Sequence, residues 1–290
     1  MTFMPRDIAE KVAAIGTAID PEATSAIYAP LHEREPYRGV KVTRDVKYGP
    51  DPRQALDVFE PDRSGGPWPV FMFVHGGGYV GGSKHEPGSP FHDNIMLWAA
   101  NNGMVGVNAT YRVAPAHPWP AGAEDVAAAA RWVHLYIARH GGDPARVILC
   151  GHSAGGTHVA TFVAQPRFHE PYGSGIKGLI LISGNYDFAA LEPSERLRQY
   201  VGDDASKYAE RSPFAGLLET PVPLMVAYAE LDPPFLAEQS RRLIAALERA
   251  GRNARTLKLM QHGHISITYA INTRDTELSD AMLEFVRQRS

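Results

Sequence analysis

Residues 147–160, VILCGHSAGGTHVA, decide the fold of this chain. Four mostly apolar residues, typical of a buried strand, precede a serine that has a glycine two residues away on either side, and a helix-compatible run follows. A G-x-S-x-G pentapeptide between a strand and a helix predicts a sharp turn that raises the Ser153 hydroxyl above a sheet. The glycines relieve crowding at such a turn, and the start of the helix favours developing negative charge. The pattern predicts that Ser153 is a nucleophile rather than part of an ordinary glycine turn.

Apolar runs of the buried-strand type recur along the chain and alternate with helical stretches. Two alternating segments, 40–48 and 54–60, predict antiparallel edge strands. Six further runs predict buried strands: 70–74, 104–109, 147–150, 178–183, 223–229 and 254–260. Helical patterns occupy 120–140, 235–251 and the last part of the chain. This alternation predicts an α/β fold with a mostly parallel eight-stranded sheet, helices on both faces, and ligands at the carboxyl ends of the strands.

Length, composition and charge favour one domain over residues 1–290. The chain has 44% hydrophobic and 21% charged residues and a formal net charge of −3. Neither this balance nor any basic run indicates a nucleic-acid or membrane partner. The single cysteine, Cys150, excludes an internal disulfide, and the first residues lack the pattern of a secretory leader. We therefore expect a cytoplasmic protein.

A second glycine-rich stretch, VFMFVHGGGYVGGSK at 70–84, contains the first of the buried runs. Gly76, Gly78 and Gly81 spell G-x-G-x-x-G, the dinucleotide-binding fingerprint, but no helix starts directly after them as that motif requires. A phosphate-binding loop is excluded because Ser-Lys stands where Lys-Ser/Thr is needed. The remaining interpretation is an oxyanion hole, built from backbone N–H groups of this loop and of Ala154, the residue after the serine.

Two acids and two histidines compete for the other places of a catalytic triad. Glu230 and Asp232 both come shortly after the apolar run 223–229. Asp232 is favoured because it lies just past the predicted strand and just before the predicted helix. His262 and His264 both follow the next run, and the residues themselves do not decide between them. A metal site at His262-x-His264 is disfavoured, because no further ligand follows at metal-binding spacing. The chain order serine, acid, histidine is the order that the predicted fold requires.

Five segments taken together resemble the α/β-hydrolase family, and within it the hormone-sensitive-lipase-like carboxylesterases. They are HGGGY (75–79), YRVAP (111–115), GDPARVILCGHSAGG (142–156), AELDPP (229–234) and HGHISI (262–267). The resemblance implies Ser153 as nucleophile, Asp232 as acid and His264 as base. It also implies that the backbone N–H groups of Gly77, Gly78 and Ala154 form the oxyanion hole.

Two residues depart from the family pattern and leave the leaving group open. The family usually has Asp before the nucleophile, where this chain has His152, and an acidic residue where it has Ala116. His152 is a feature shared with kynurenine-formamidase-like enzymes, which use the same triad on an amide. The leading prediction is a serine carboxylesterase for small to medium esters, and a kynurenine-formamidase-like amidase and a dinucleotide-binding oxidoreductase are the alternatives.

The substrate pocket is the least specified part of the sequence. Residues 1–38 and 185–212 are expected to form a small cap over the strand ends. Four aromatic residues are candidates to line the pocket: Tyr79, Tyr186, Phe188 and Phe235. The chemistry calls for no cofactor and no metal, the partner is a small-molecule ester, and pairing of two copies through the last strand and helix is a further expectation.

Overall fold

The apolar runs of the sequence form one sheet, because strands that are apolar on both sides are stable only where both faces are covered. The computed structural model describes residues 4–289, and within them eight strands pair in a single sheet. The strands are β1 (Val40–Lys47), β2 (Ala55–Pro61), β3 (Trp68–Val74), β4 (Val105–Ala109), β5 (Gly142–His152), β6 (Ile176–Ile182), β7 (Leu224–Leu231) and β8 (Arg255–Gly263). Their order across the sheet is β1-β2-β4-β3-β5-β6-β7-β8.

Among the described strands, β2 alone runs against the others. The pairs β1–β2 and β2–β4 are antiparallel, and every pair from β4–β3 through β7–β8 is parallel. The predicted fold class, a mostly parallel eight-stranded α/β sheet, is confirmed. Because β5, β6, β7 and β8 are neighbours and parallel, their carboxyl ends lie at the same edge of the sheet.

Helices cover both faces of this sheet. They are α1 (Arg6–Ile15), α2 (Pro21–Tyr28), α3 (Asp93–Asn101), α4 (Ala121–Tyr136), α5 (Ala154–Ala164), α6 (Glu195–Val201), α7 (Tyr208–Arg211), α8 (Phe214–Glu219), α9 (Pro234–Arg249), α10 (Ser266–Tyr269) and α11 (Glu277–Arg287). Among the described residues, no helix is both long enough and apolar enough to cross a membrane.

Strand β3 illustrates how the two faces are filled. Val70, Met72 and Val74 belong to a core cluster with residues of α4, α5 and α9, whereas Phe71 and Phe73 belong to a cluster with residues of α3 and α11. All five side chains are essentially inaccessible to solvent. Since successive side chains of a strand point to opposite faces, both faces of the sheet are buried, which fixes the register of the central strands.

Candidate active site

Ser153 occupies the turn between β5 and α5 in a strained backbone conformation. Its φ is 56° and its ψ is −123°. Residues other than glycine rarely adopt a positive φ. The Ser153 N–H donates to the carbonyl oxygen of Ile182 at 2.8 Å, which ties the turn to the end of β6. The side chain lies at the amino end of α5, where the helix dipole favours negative charge.

The flanking glycines are required by close packing of the backbone. A Cβ atom added at Gly155 would lie 2.2 Å from the carbonyl oxygen of Val74, and one added at Gly151 would lie 2.5 Å from the carbonyl oxygen of Gly155. Both separations are far below van der Waals contact, and the obstructing atoms are backbone atoms that cannot move aside. The spacing of the pentapeptide therefore reflects the narrow space between β3, β5 and α5.

The Ser153 hydroxyl, the His264 imidazole and the Asp232 carboxylate form a continuous hydrogen-bonded chain. The Ser153 Oγ lies 2.9 Å from His264 Nε2, and His264 Nδ1 lies 2.7 Å from Asp232 Oδ1. His264 and Asp232 are each 2% exposed. The structure thus brings together the three residues proposed for the triad, from the carboxyl ends of β5, β7 and β8.

Backbone and side-chain donors hold the second carboxylate oxygen of Asp232. Oδ2 accepts from the Ser183 hydroxyl at 2.7 Å and from the Ala229 N–H at 2.8 Å. The rival acid, Glu230, points elsewhere: its Oε2 accepts from the Gln261 N–H at 2.8 Å, and its Oε1 lies 3.5 Å from Lys258 Nζ. Ser183 is a residue of the site that the sequence analysis missed, because a lone serine after a buried strand carries no recognisable signal.

The rival histidine, His262, belongs to a separate buried cluster. Its Nε2 lies 3.0 Å from Asp275 Oδ2, and its Nδ1 lies 3.3 Å from the Ser266 Oγ. The Ser266 Oγ in turn accepts from the Gly263 N–H at 2.9 Å. His262 therefore fixes the turn that follows β8, whereas His264 reaches Ser153. Among the described residues, no cluster of three or more His, Cys, Asp or Glu side chains is arranged to hold a metal ion.

His152 lies directly behind the histidine that contacts Ser153. The His152 Nε2–H donates to the carbonyl oxygen of His264 at 2.8 Å, and the two rings are 4.7 Å apart. Burial holds the pKa of His152 well below its ordinary value, and the proximity of His264 acts in the same direction, so the His152 ring is neutral. An aspartate at this position, as in the resembled family, would have no proton to donate to that carbonyl. The departure at His152 therefore has a structural role in supporting the backbone of His264.

The glycine loop after β3 places free backbone donors beside Ser153. Gly77 and Gly78 have positive φ values of 136° and 60°, and a Cβ at Gly77 would lie 2.0 Å from the carbonyl oxygen of Gly81. Within residues 4–289, the N–H groups of Gly77, Gly78 and Ala154 donate to no protein acceptor. Gly78 and Ala154 also line the cavity that contains Ser153. Free backbone donors next to the nucleophile position are one property that an oxyanion hole requires.

His75 holds this loop in place instead of carrying protons. Its Nδ1–H donates to the carbonyl oxygen of Gly76 at 2.6 Å, and its Nε2 accepts from the Thr110 hydroxyl at 2.8 Å. The Tyr111 hydroxyl donates to the carbonyl oxygen of His75 at 3.0 Å. Complete burial holds the pKa of His75 well below its ordinary value. His75 is therefore a neutral ring with both nitrogens engaged.

A cavity of about 490 Å³ opens over Ser153. Its walls combine apolar side chains with a few charged ones, and they come from the chain before β1, the glycine loop, the segment 185–197 and α9. The lining residues are Ile19, Gly78, Tyr79, Ser153, Ala154, Asn185, Ala190, Leu191, Glu192, Pro193, Ser194, Arg196, Leu197, Phe235, Leu236, Glu238, Gln239 and Arg242. A volume of this size fits a small or medium organic ligand.

Two of the four aromatic residues expected in the pocket line it, and two do not. Tyr79 and Phe235 line the cavity, and Phe235 is 51% exposed there. The expectation for Tyr186 and Phe188 is wrong, because both are 0% exposed and lie in the packed interior. The Tyr186 hydroxyl is turned inward and accepts from the Gly184 N–H at 3.0 Å. Tyr186 and Phe188 pack in the interior. The sequence alone does not distinguish an aromatic residue that packs in the core from one that lines a pocket.

A chain of hydrogen bonds that the sequence analysis missed joins Tyr79 to α5, the helix that follows Ser153. The Asn185 Nδ2 donates to the Tyr79 hydroxyl at 2.9 Å, and that hydroxyl lies 3.1 Å from the Thr157 Oγ1 on α5. Tyr79 is also stacked on Tyr200, with ring centroids 4.3 Å apart. The wall beside Ser153 is therefore rigid, because its aromatic residue is held at both its face and its hydroxyl.

Comparison with known proteins places the chain in a family. Residues 71–267 match the model of a family described by the α/β-hydrolase fold. The esterase LipC of Mycobacterium tuberculosis is 29% identical over 83% of this chain and 65% of its own length. A tuliposide A-converting enzyme, b1, of Tulipa gesneriana is 30% identical over 76% of this chain and 64% of its own length. The chain thus covers less than two thirds of the length of these curated relatives.

Solved structures show the same fold at lower sequence identity. A hyperthermophilic esterase from the archaeon Pyrobaculum calidifontis superposes with a TM-score of 0.71 at 23% identity, over 99% of each chain. A bacterial heroin esterase superposes with a TM-score of 0.72 at 23% identity, over 99% of this chain and 98% of the other. Neither the kynurenine-formamidase-like amidase nor the dinucleotide-binding oxidoreductase gains support from these matches. With a family match that spans both the glycine loop and the Ser153 turn, the chain belongs to the α/β-hydrolase fold family.

Proposed function

We propose that this protein is a serine carboxylesterase that hydrolyses small to medium carboxylic esters through an acyl-enzyme. The observation that carries the proposal is the hydrogen-bonded chain from Ser153 through His264 to Asp232, with distances of 2.9 and 2.7 Å, at the base of an open cavity. The esterase names of the relatives support the same chemistry. No residue of this arrangement needs a metal or an organic cofactor to act.

In the first step, Ser153 attacks the ester carbonyl while His264 takes its proton. Because Nδ1 of His264 donates to Asp232, Nε2 carries the lone pair that faces the serine hydroxyl. The Asp232 carboxylate holds this tautomer and stabilises the imidazolium that forms. The ester carbonyl becomes a tetrahedral intermediate, which collapses when His264 returns its proton to the departing alcohol.

The oxyanion of that intermediate is stabilised by the N–H groups of Gly77, Gly78 and Ala154. They are free of protein acceptors and stand beside Ser153 before substrate arrives, so no reorganisation is needed when charge develops. Water then attacks the acyl-enzyme with His264 again as base, which releases the acid and restores the serine.

The same proposal covers the architecture around the site. The chain acts as one α/β-hydrolase domain, 1–290, in which segments 1–38 and 185–212 serve as a small cap. Ile19 from the first segment and Asn185, Leu191 and Leu197 from the second line the cavity, which supports this assignment. A cavity of about 490 Å³ favours short acyl groups over long lipid chains.

Hydrolysis of p-nitrophenyl butyrate by the wild type and by Ser153→Ala tests the function. We expect the substitution to lower kcat by at least about 10³-fold, because it removes the nucleophile and leaves only binding and the oxyanion donors. The matched control is Ser174→Ala, which removes a serine hydroxyl just before the amino end of β6, at the opposite edge of the sheet. Retained activity in Ser153→Ala, or no labelling of Ser153 by a fluorophosphonate, would overturn the proposal.

A further inference from the structure

In the part of the chain that the structure describes, two of the four charged side chains that line the cavity have an ion-pair partner, and two do not. Among the cavity residues, Arg242 pairs with Asp187 at 2.8 Å, and Glu238 pairs with Arg241 at 2.9 Å. Within residues 4–289, the Arg196 guanidinium has no ion pair and no hydrogen bond. Arg196 is thus an exposed cation without a protein partner among the described residues, in the wall of the proposed substrate cavity.

Arg196 lies against the glycine loop, at the end of the cavity that contains the nucleophile. A Cβ atom added at Gly78 would lie 3.3 Å from Nη1 and 3.5 Å from Cδ of Arg196. The helix that carries Arg196 is anchored by its neighbour: Leu197 is 3% exposed and packs in a cluster with Tyr79 and Ala154. Ser194 caps the same helix by accepting from the Leu197 N–H at 3.2 Å.

A free guanidinium in this position selects for a particular chemistry. Its planar fork matches the two oxygens of a carboxylate, and a charge-assisted pair is stronger than a neutral hydrogen bond. The same cavity is also lined by apolar side chains, including Leu191, Leu197 and Leu236. Because Arg196 is exposed, the pair would be partly screened by salt.

We propose that Arg196 binds a carboxylate of the substrate, and that the preferred substrates are esters carrying a carboxylate in addition to the scissile ester group. This inference rests on the proposed esterase function and names the substrate class of the same site. One charge in the wall opposes it: Glu192 also lines the cavity, and within the described residues it makes no ion pair. Removing Glu192's charge should therefore strengthen the preference.

Two pairs of substrates, each an anion and its isosteric neutral amide, measure the preference. Monoethyl adipate and ethyl adipamate place the group in the acyl half, and 4-butyryloxybenzoate and 4-butyryloxybenzamide place it in the leaving group. We expect the wild type to show a higher kcat/KM for the anion in at least one pair. The difference should appear mainly in KM, because the carboxylate pair forms in both ground state and transition state. It should shrink as NaCl is raised from 10 to 500 mM.

Substitutions on α6 assign the preference to one residue. Arg196→Gln should lower kcat/KM for the favoured anion by about tenfold and change the neutral amide by less than about twofold. Arg196→Lys should restore part of the preference, since it keeps the charge but not the fork. Arg198→Gln is the matched control, because Arg198 is on the same helix, does not line the cavity, and lies 3.9 Å from Asp203. Glu192→Gln should raise the preference.

The outcomes separate this inference from the proposed function. If the wild type hydrolyses the neutral esters through Ser153 but shows no preference for either anion, the carboxylate inference fails and the esterase proposal stands. The same holds if Arg196→Gln and Arg198→Gln affect the anions equally. If the esters are hydrolysed equally well by Ser153→Ala, the esterase proposal fails and this inference fails with it.

Discussion

Replacing Asp232 by asparagine should reverse the tautomer of His264 while leaving the fold almost unchanged. The Ala229 N–H can only donate, and it points at Oδ2 of Asp232 together with the Ser183 hydroxyl. In Asp232→Asn the amide oxygen must therefore occupy the Oδ2 position, which turns the NH₂ group toward His264. An NH₂ group cannot accept a hydrogen bond, so Nδ1 of His264 becomes the acceptor and the proton moves to Nε2. The nitrogen that faces Ser153 then carries a proton and cannot act as base.

The expected loss of kcat follows from the free energy needed to restore the productive tautomer of His264. A productive tautomer in the variant requires either two N–H groups facing each other at 2.7 Å or an amide flip that leaves the buried Ala229 N–H without an acceptor. In a serine protease triad the same change lowers kcat by about 10⁴, which corresponds to about 5.4 kcal/mol of activation free energy. We expect a loss of this order here. Two of the three hydrogen bonds of the carboxylate survive, so the free energy of unfolding should fall by less than about 2 kcal/mol.

Three variants assayed side by side separate orientation of the base from integrity of the fold. Turnover of p-nitrophenyl butyrate and urea unfolding are measured for Asp232→Asn, Asp232→Ala and Glu230→Gln. The alanine variant leaves Ala229 and Ser183 without their acceptor, so it should lose activity similarly and stability more, by about 2–4 kcal/mol. Glu230→Gln keeps an acceptor for the Gln261 N–H and should retain kcat within about twofold.

Two results would refute this reasoning. If Asp232→Asn kept more than a tenth of the wild-type kcat, the carboxylate would not be setting the tautomer of His264. If Glu230→Gln lost as much activity as Asp232→Asn, the role assigned to Asp232 would belong to its neighbour or to the loop as a whole.

Two further predictions concern stability. Gly155→Ala should lower the free energy of unfolding by more than about 2 kcal/mol in urea titrations, because its Cβ would meet the Val74 carbonyl oxygen at 2.2 Å. Gly81→Ala, whose Cβ would find its nearest contact at 4.0 Å, should cost less than about 1 kcal/mol, and equal costs would contradict the packing argument. Stability should also fall as the pH drops from about 6.5 to about 4, because burial lowers the pKa of His92 to about 4 and of His158 to about 3, so the unfolded chain binds protons that the folded chain does not. His158→Asn should flatten this slope by up to about 1.4 kcal/mol per pH unit, and an unchanged slope would exclude His158 as a source.

The sheet could be predicted from the sequence because its strands are short apolar runs between polar turns. The centres of the strands were predicted better than their ends. The run 147–150, for example, forms only the middle of β5, which extends over Gly142–His152. Helix α3 was missed altogether. Its residues Asn94 to Ala100 are all buried, so the segment has no polar face and no helical period to recognise.

The site could be predicted as a set of strand ends but not as a set of contacts. Glu230 and Asp232 would point the same way on a continuing strand, yet β7 ends at Leu231 and its pairing with β8 is irregular there. That irregularity sends Glu230 to the Gln261 N–H and frees Asp232 to meet His264. The local sequence favoured Asp232 by its place just past the strand, but it does not show the irregular pairing that separates the two acids.

The cavity wall was harder to predict, because its residues come from distant segments. Ile19, Arg196 and Arg242 meet there without any shared motif or period. The catalytic roles, the cap, the cytoplasmic location and the pairing of two copies stay predictions.

Strand β8 has a consequence for how the protein would lose activity. It lies at the margin of the sheet, and among the described residues it pairs with β7 alone, whereas β5 is held between β3 and β6. His264 follows β8 directly, and Ser153 follows β5. Marginal strands open locally at lower free energy than central ones. In the proposed mechanism, the proton acceptor His264 therefore follows the strand that we expect to open more easily, and the nucleophile Ser153 follows a central strand. We therefore expect mild heat or low concentrations of denaturant to lower turnover before most of the sheet unfolds, so that activity would be lost ahead of the change in a spectroscopic signal from the whole fold.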